Sequence, residues 1–240
     1  SPCCPLVHIL SYFIIYFLVF RVNIKYIYLV FRLSVGENTT LVFPTESCTS
    51  FVEMIPQKPM NLTAFTLCMR VATELSSQRE IILFAYRTGN YDELNVWGEL
   101  DGRLSFYMAG NPVLFKVPEL RALITHLCVT WDSTSGLAVL FLDGKRSLSK
   151  IYKKDHTVSP GGRVILGQDP DIYLGDFDKH QNFVGEICDV NMWDVVLPDS
   201  VIQGIFAGQR EPRGNVFDWD STELRINGDV EVAIREDDRV

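Results

Sequence analysis

From Leu41 to Ile234 the chain is a succession of short runs rich in aromatic and β-branched residues, each closed by a turn residue. LVFP (41–44), FVEMI (51–55), AFTLCMRVAT (64–73), EIILFAYRT (80–88), ELNVWGEL (93–100), RLSFYMAG (103–110) and PVLFKV (112–117) come first. HLCVTWDS (126–133), LAVLFLDG (137–144), RVILG (163–167), FVGEICDVNMWD (183–194), NVFDW (215–219) and EVAI (231–234) continue the series. Pro44, Pro56, Pro59, Gly89, Asp101–Gly102 and Gly110–Asn111 separate the runs, and Asp101–Gly102 is the sharpest hairpin signal. Regular short strands with turns between them predict an all-β, two-sheet sandwich.

One helix interrupts the pattern. After Pro198, the residues Val201, Ile202, Ile205 and Phe206 recur at helical spacing. Asp199 or Ser200 is the expected cap at its start and Gly208 the expected stop.

The 240 residues suffice for one large β domain and an extension. Residues 1–36 form a hydrophobic N-terminal segment set apart from the domain expected over 37–240. HILSYFIIYFLVF runs without a charge but is short for a stable membrane span, and Arg21, Lys25 and Arg32 break up the next apolar run. Its length suits a secretory signal, without the usual basic start or small-residue cleavage site. A net charge of −8 argues against nucleic acid as the primary ligand, which calls for a basic face. The six cysteines include no CxxC pair, so zinc-ribbon and thioredoxin chemistry are not indicated, and wide spacing in a β-rich chain points to disulfides and an oxidising compartment. Cys68 and Cys128 both sit inside apolar strand patterns, either bridged or as two separate buried thiols.

Chemistry concentrates in ILGQDPDIYLGDFDKHQNF (165–183). Asp169, Asp171, Asp176 and Asp178 fall within ten positions, between Gln168 and Gln181. Carboxylates this close repel one another unless a positive charge cancels theirs. Calcium would do so, taking six to eight oxygens from carboxylates, amides and main-chain carbonyls. A solvated acidic loop is the plain alternative. The spacing is not that of an EF-hand.

At His126-Leu-Cys128-Val-Thr-Trp131-Asp-Ser133 the sequence matches the pentraxin signature, and LVFPTES, AFTLC, ILGQ, FVGE, NMWD and VFDW recur in family order. Over roughly residues 38–233 the chain resembles the short pentraxins. The resemblance implies a lectin-like jelly roll with one short helix on one face and two calcium ions on the other. It implies a disulfide between Cys68 and Cys128. Carried over position by position, it implies calcium ligands at Asp169, Pro170 (through its carbonyl), Asp171, Asp178 and Gln181. A further Asp-Asn pair of the family falls in GNYDEL (89–94), one residue shorter here. Asp92 matches one member, with Glu93 or Tyr91 as its partner; Asp92 and Glu93 are the expected ligands. Asp169 and Asp178 are each one methylene shorter than the family's Glu, which puts the second ion in question. Asp176 has no ligand role in the family.

Trp97 and Tyr107 match aromatic positions of the family's ligand pocket. The family carboxylate that faces choline falls on Pro112 or Asn111, so it is absent. The implied function is calcium-dependent, lectin-like pattern recognition in innate immunity or the acute phase. The expected ligands are phosphocholine- or phosphoethanolamine-like head groups or acidic glycans. The resemblance also implies a secreted homopentamer, with complement components among its partners. A calcium-independent, oligomerising paralogue is the alternative; a glycan-active enzyme on a similar sandwich is a remoter one, since the clustered acids go to metal and no Ser-His-Asp arrangement is legible. Cys48 and Cys188 replace an Asp and a Gly of the family pattern; a second bridge between them is one expectation, and free thiols or a pairing with Cys3, Cys4 or another subunit are the alternatives. Asn38 and Asn61 are open positions for glycosylation.

Overall fold

A computed structural model describes residues 38–75, 78–173 and 175–234, and the backbone of 32–34. Two antiparallel sheets pack face to face. The first runs, in spatial order, Arg32–Ser34, Glu223–Asn227, Phe51–Ile55, Arg163–Leu166, Ile81–Arg87, Asp92–Gly98, Leu104–Met108 and Asn111–Phe115. The second runs Lys145–Arg146, Leu137–Leu142, Thr125–Asp132, Ala64–Ala72, Gly185–Trp193, Thr39–Phe43 and Glu231–Ile234, with Lys150–Ile151 also paired to Leu137–Leu142. Pro170–Ile172 and Gly175–Phe177 form a separate two-stranded hairpin. The expected jelly-roll sandwich with one helix is what forms.

Alternation along the strands decides which side chains enter the core. Leu94 and Val96 point inward while Asn95 and Trp97 point outward. The inner layer is aromatic: Phe106 stacks on Phe115 at 6.1 Å and meets Tyr152 edge-on at 5.4 Å, and Phe65 lies 5.9 Å from Trp131. Bulges shift this alternation. One interrupts the pairing of Ile81–Arg87 with Asp92–Gly98 between Ile82 and Phe84, so that Leu83 and Phe84 both pack inside while Ile82 and Ala85 face out.

The outer face of each sheet carries its own apolar cluster. On the second sheet Val139, Phe141 and Trp193 gather with Leu197 and Ile202, and the helix Asp199–Phe206 lies over them. Its cap differs from expectation. Pro198 occupies the N-cap with no side-chain hydrogen bond, because Asp199 is already inside the first turn, where it pairs with Arg146 at 3.2 Å. Gly208, at φ +94°, ends the helix as expected. Arg70 supplies what the C-terminus lacks, donating to the carbonyls of Ile205 at 3.2 Å and Phe206 at 2.9 Å. On the first sheet Ile82, Ala85, Trp97 and Ile165 form the outer cluster, with Phe51 and Tyr107 against it. No helix covers this face among the described residues.

Cys68 and Cys128 are direct cross-strand partners joined by a disulfide, with Cα atoms 4.1 Å apart. The expected Cys48–Cys188 bridge does not form. Register explains why. Cys188 lies one residue beyond the Ile187–Leu41 pair, three steps from Gly185–Phe43, whereas Cys48 follows Phe43 on the other side of that pair. Three steps span about 10 Å along a strand, beyond the roughly 7 Å a disulfide tolerates. NVFDW is also not a strand. It makes only an isolated bridge, Met192 to Phe217, and buries Val216, Phe217 and Trp219. Among the described residues no helix is long and apolar enough to cross a membrane.

Candidate calcium and ligand face

The strand Arg163–Leu166 ends at Gly167, φ +89°, where an added Cβ would lie 2.2 Å from the Phe43 ring. Only glycine permits that approach. The turn drives Gln168 inward, where Nε2 donates to the carbonyls of Ser47 at 2.6 Å and Ser50 at 3.2 Å. Gln168 thus pins the 44–50 loop, while its Oε1 is buried without a hydrogen-bond partner among the described residues. Asp169 follows, 7% exposed, and its Oδ1 accepts from Asn95 Nδ2 at 2.9 Å. Asn95 is held in turn, its Oδ1 accepting the Tyr86 N–H at 3.2 Å. Pro170 pairs with Phe177 and Ile172 with Gly175, which lifts Asp171 to the surface. The Phe177 ring seats the hairpin on Phe51 at 5.0 Å. Asp178 accepts the His180 N–H at 2.9 Å through Oδ1, and its carbonyl accepts the Gln181 N–H at 3.0 Å. Ile82 then donates to the Gln181 carbonyl at 3.0 Å, tying this turn to the sheet.

The electrostatics show which acids share one space. Burial, aided by the charges of Asp92 and Asp171, pushes the Asp169 carboxyl up to about 7. Burial likewise raises Asp171, with Asp176, Asp92 and Asp178 adding to it. Asp92, Asp169 and Asp171 thus act on one another, and Asp176 and, more weakly, Asp178 act on Asp171. Arg87 partly balances the cluster, its Nη1 lying 2.5 Å from Asp92 Oδ1.

Glu93 does not join. A second bulge, on its own strand, sets Asp92 and Leu94 opposite the consecutive pair Arg87 and Tyr86, so that Glu93 is the extra residue left outside the cross-strand register and turned inward. Fully buried, it accepts the Ser159 N–H at 2.8 Å and pairs with His156 Nε2 at 3.0 Å. Asn95 is the contact that sequence reasoning missed; a lone amide at an outward strand position was its only signal.

The donor chemistry fits a hard cation, since these are carboxylate, amide and carbonyl oxygens. The acids are not drawn into a tight shell. Among the described residues the one trio of metal-binding side chains converging within 4.8 Å is Cys68, His126 and Cys128, whose sulfurs the disulfide occupies. His126 lies 3.5 Å from Cys128 Sγ, and burial beside Arg70 lowers its pKa to about 4.

Next to the acids, Trp97 and Tyr107 stand with ring centroids 6.5 Å apart at 65°. The Tyr107 hydroxyl donates to Glu99 Oε1 at 3.3 Å, and Ser105 donates to the same oxygen. Burial, Glu99 and Glu80 push the Tyr107 hydroxyl up to about 12. Glu80 in turn accepts from Gln181 Nε2 at 3.4 Å. The aromatic pair and the acid loop are thus neighbours on one face, opposite the helix.

The Pentaxin family model matches residues 39–234. The chain belongs to the pentraxin family. Among curated relatives, C-reactive protein of Danio rerio is 50% identical over 196 residues, covering 80% of this chain and 87% of the relative. Human C-reactive protein is 39% identical over 191 residues, covering 79% and 84%. Serum amyloid P-component of Cavia porcellus is 35% identical over 220 residues, covering 91% and 97%. Among solved structures, the native heptameric SAP-like pentraxin from Limulus polyphemus superposes with a TM-score of 0.73 at 20% identity, over 85% of this chain and 98% of that one. This agreement concerns the fold.

Proposed function

We propose that this pentraxin is a calcium-dependent recognition protein of the innate-immune, acute-phase type, and that it has no catalytic role. The observation that carries the reading is the mutual repulsion of Asp92, Asp169 and Asp171, to which Asp176 and Asp178 add and which Arg87 opposes among the described residues, beside the Trp97–Tyr107 pair. Asp92, Asp169, the Pro170 carbonyl and Asp171 would hold a first calcium ion. Asp178 and Gln181 would complete a weaker second one. Bound calcium would supply a positive centre for phosphate or carboxylate oxygens of a ligand. The Gln181 side chain suits this role, because its Nε2 is committed to Glu80 and its amide oxygen is left for a cation.

The aromatic pair sets what sits beside that anion. The family position for a choline-facing carboxylate is lost, but Glu99 and Glu80 bring carboxylates to Tyr107 from other positions. A ligand carrying both a phosphate and an ammonium group meets calcium at one end and aromatic faces with acids at the other. This supports phosphocholine- or phosphoethanolamine-like head groups ahead of acidic glycans.

The disulfide supports secretion. Assembly into a closed ring, a pentamer on the family pattern, is part of the same proposal. The Limulus pentraxin is heptameric, so ring size can vary on this fold. Leu137, Leu148 and Ile151 form an exposed apolar edge suited to one side of a subunit contact.

The test is retention on immobilised phosphocholine and phosphoethanolamine, in calcium at about 10⁻³ M, the range of extracellular calcium modules, and again with chelator. Retention in calcium with release by chelator is expected. Equal behaviour in both, with no calcium uptake in equilibrium dialysis, favours the calcium-independent paralogue, for which Arg87 already on Asp92 is the one supporting contact. Trp97→Ala should weaken head-group binding about 10-fold, the worth of one partly desolvated cation–π contact, while calcium uptake stays unchanged. Loss of both together would place Trp97 in packing rather than recognition.

A further inference from the structure

We infer that Asn61 is an N-glycosylation site, carrying an N-acetylglucosamine-based oligosaccharide. The chain holds the acceptor pattern Asn-x-Ser/Thr at Asn61-Leu62-Thr63 and at Asn38-Thr39-Thr40. The structure separates them. Leu62 is 2% exposed and fixed by a two-way main-chain bridge, its N–H to the Val158 carbonyl at 3.3 Å and the Val158 N–H to its own at 2.9 Å. Alternation then turns Asn61 and Thr63 outward, and both are exposed. The Asn61 side chain makes no hydrogen bond among the described residues, so a glycan displaces nothing.

Asn38 is set differently. It is half-buried at φ +68°, Thr40 is 2% exposed, and both line a groove of about 300 Å³ with Arg70 and Asp189. A branched sugar there would have to leave through that groove. The loop bearing Asn61 instead joins Phe51–Ile55 of the first sheet to Ala64–Ala72 of the second. It lies at an end of the sandwich, on neither the calcium face nor the helix face. A glycan at that point leaves both broad faces clear.

The transfer is a substitution at carbon. Asn61 Nδ2 bonds to the anomeric carbon of an oligosaccharide carried on a lipid pyrophosphate. The bond from that carbon to the pyrophosphate oxygen breaks, the lipid pyrophosphate leaves, and the amide gives up one proton. The inference rests on the secretory part of the proposed function.

The experiment expresses the full chain in eukaryotic cells, directed to the secretory pathway by an added leader. Amidase removal of N-glycans should increase its gel mobility and convert Asn61 to an aspartate, which peptide mass spectrometry reads directly. Asn61→Gln should abolish the shift, and Thr63→Ala should do so with the asparagine intact, which covers the case where one variant folds poorly. Thr63→Ser should keep it, and Asn38→Gln should leave it unchanged. A chain that enters the pathway unshifted, or one whose shift survives Asn61→Gln and vanishes with Asn38→Gln, overturns the assignment. A glycosylated chain that takes up no calcium would leave Asn61 standing and sink the calcium reading instead.

Discussion

Asp169→Asn should move stability in opposite directions with and without calcium. Burial beside Asp92 and Asp171 raises the Asp169 carboxyl to about 7, against the ordinary 3.8 of an exposed aspartate in the unfolded chain. Between those two values the folded state holds a proton that the unfolded state has lost. Stability conferred by the neutral form is therefore complete below about pH 4 and drains away as pH rises toward 7. The amide never ionises and keeps the Asn95 side-chain contact with a neutral oxygen. In chelator, the Asp169→Asn variant should melt above the wild type at pH 8 and level with it near pH 4.

Calcium reverses the comparison. A bound cation favours the ionised carboxylate, so wild-type calcium uptake should expel protons and tighten as pH climbs from about 5 to about 8. The variant loses one anionic ligand of the first expected ion. A fall in calcium affinity of roughly 100-fold or more is expected, since even an outer-shell partner of a metal ligand is worth about 10–100-fold, with head-group binding lost alongside. The 168–181 loop should also become the favoured protease cut in wild type only when calcium is removed, because Asp171 then faces the charges of Asp176, Asp92 and Asp178 with only Arg87 opposing them among the described residues. Titration calorimetry at two pH values and melting curves with and without calcium read all of this. A variant that melts below wild type in chelator at pH 8, yet binds calcium normally, would show Asp169 to be a structural acid.

Most of this face is legible in residues 165–183 because backbone-local features make it: Gly167 for the sharp turn, Pro170 and Gly175 for the hairpin, and acids at near-alternate positions. What stays hidden depends on register. Glu93 looks equivalent to its neighbour Asp92, but a bulge at Glu93 itself leaves Asp92 outside and sends Glu93 under His156. The same limit hides Asn95 and the Glu99 and Glu80 carboxylates, which reach their partners across strands and loops. It also misleads at Cys48 and Cys188, whose joint presence suggests a bridge that the fold does not form. NVFDW has strand composition, yet the residues after the Gly214 bend are spent burying Phe217 and Trp219; an added Cβ at Gly214 would lie 1.7 Å from the Phe217 carbonyl oxygen. Period-2 patterns identify strands well where both neighbours exist and poorly where a segment merely plugs the end of a core.

The second large effect should follow removal of the Cys68–Cys128 bridge. It links two central strands, 60 positions apart, at a point where they are already paired residue to residue. In the chain-entropy account, a closed loop of this length restricts the unfolded chain by about 4 kcal/mol. At about 2–4 °C per kcal/mol for a domain of this size, Cys68→Ala with Cys128→Ala should melt roughly 10 °C below wild type. Calcium and head-group binding at low temperature should persist, because the bridge lies under the helix beside Trp193 and Ile202, on the sheet that does not carry the acid loop. Cys68→Ala alone should do worse under oxidising conditions only where the chain unfolds, since Cys128, fully buried beside a neutral His126, is exposed as a free thiol on unfolding. Melting curves of the double variant in calcium decide the matter. A drop of only about one or two degrees, under 1 kcal/mol on the same scale, would mean that strand pairing already confines the unfolded chain as tightly as the sulfurs do, while loss of head-group binding at low temperature would mean that the two faces communicate through the sheets.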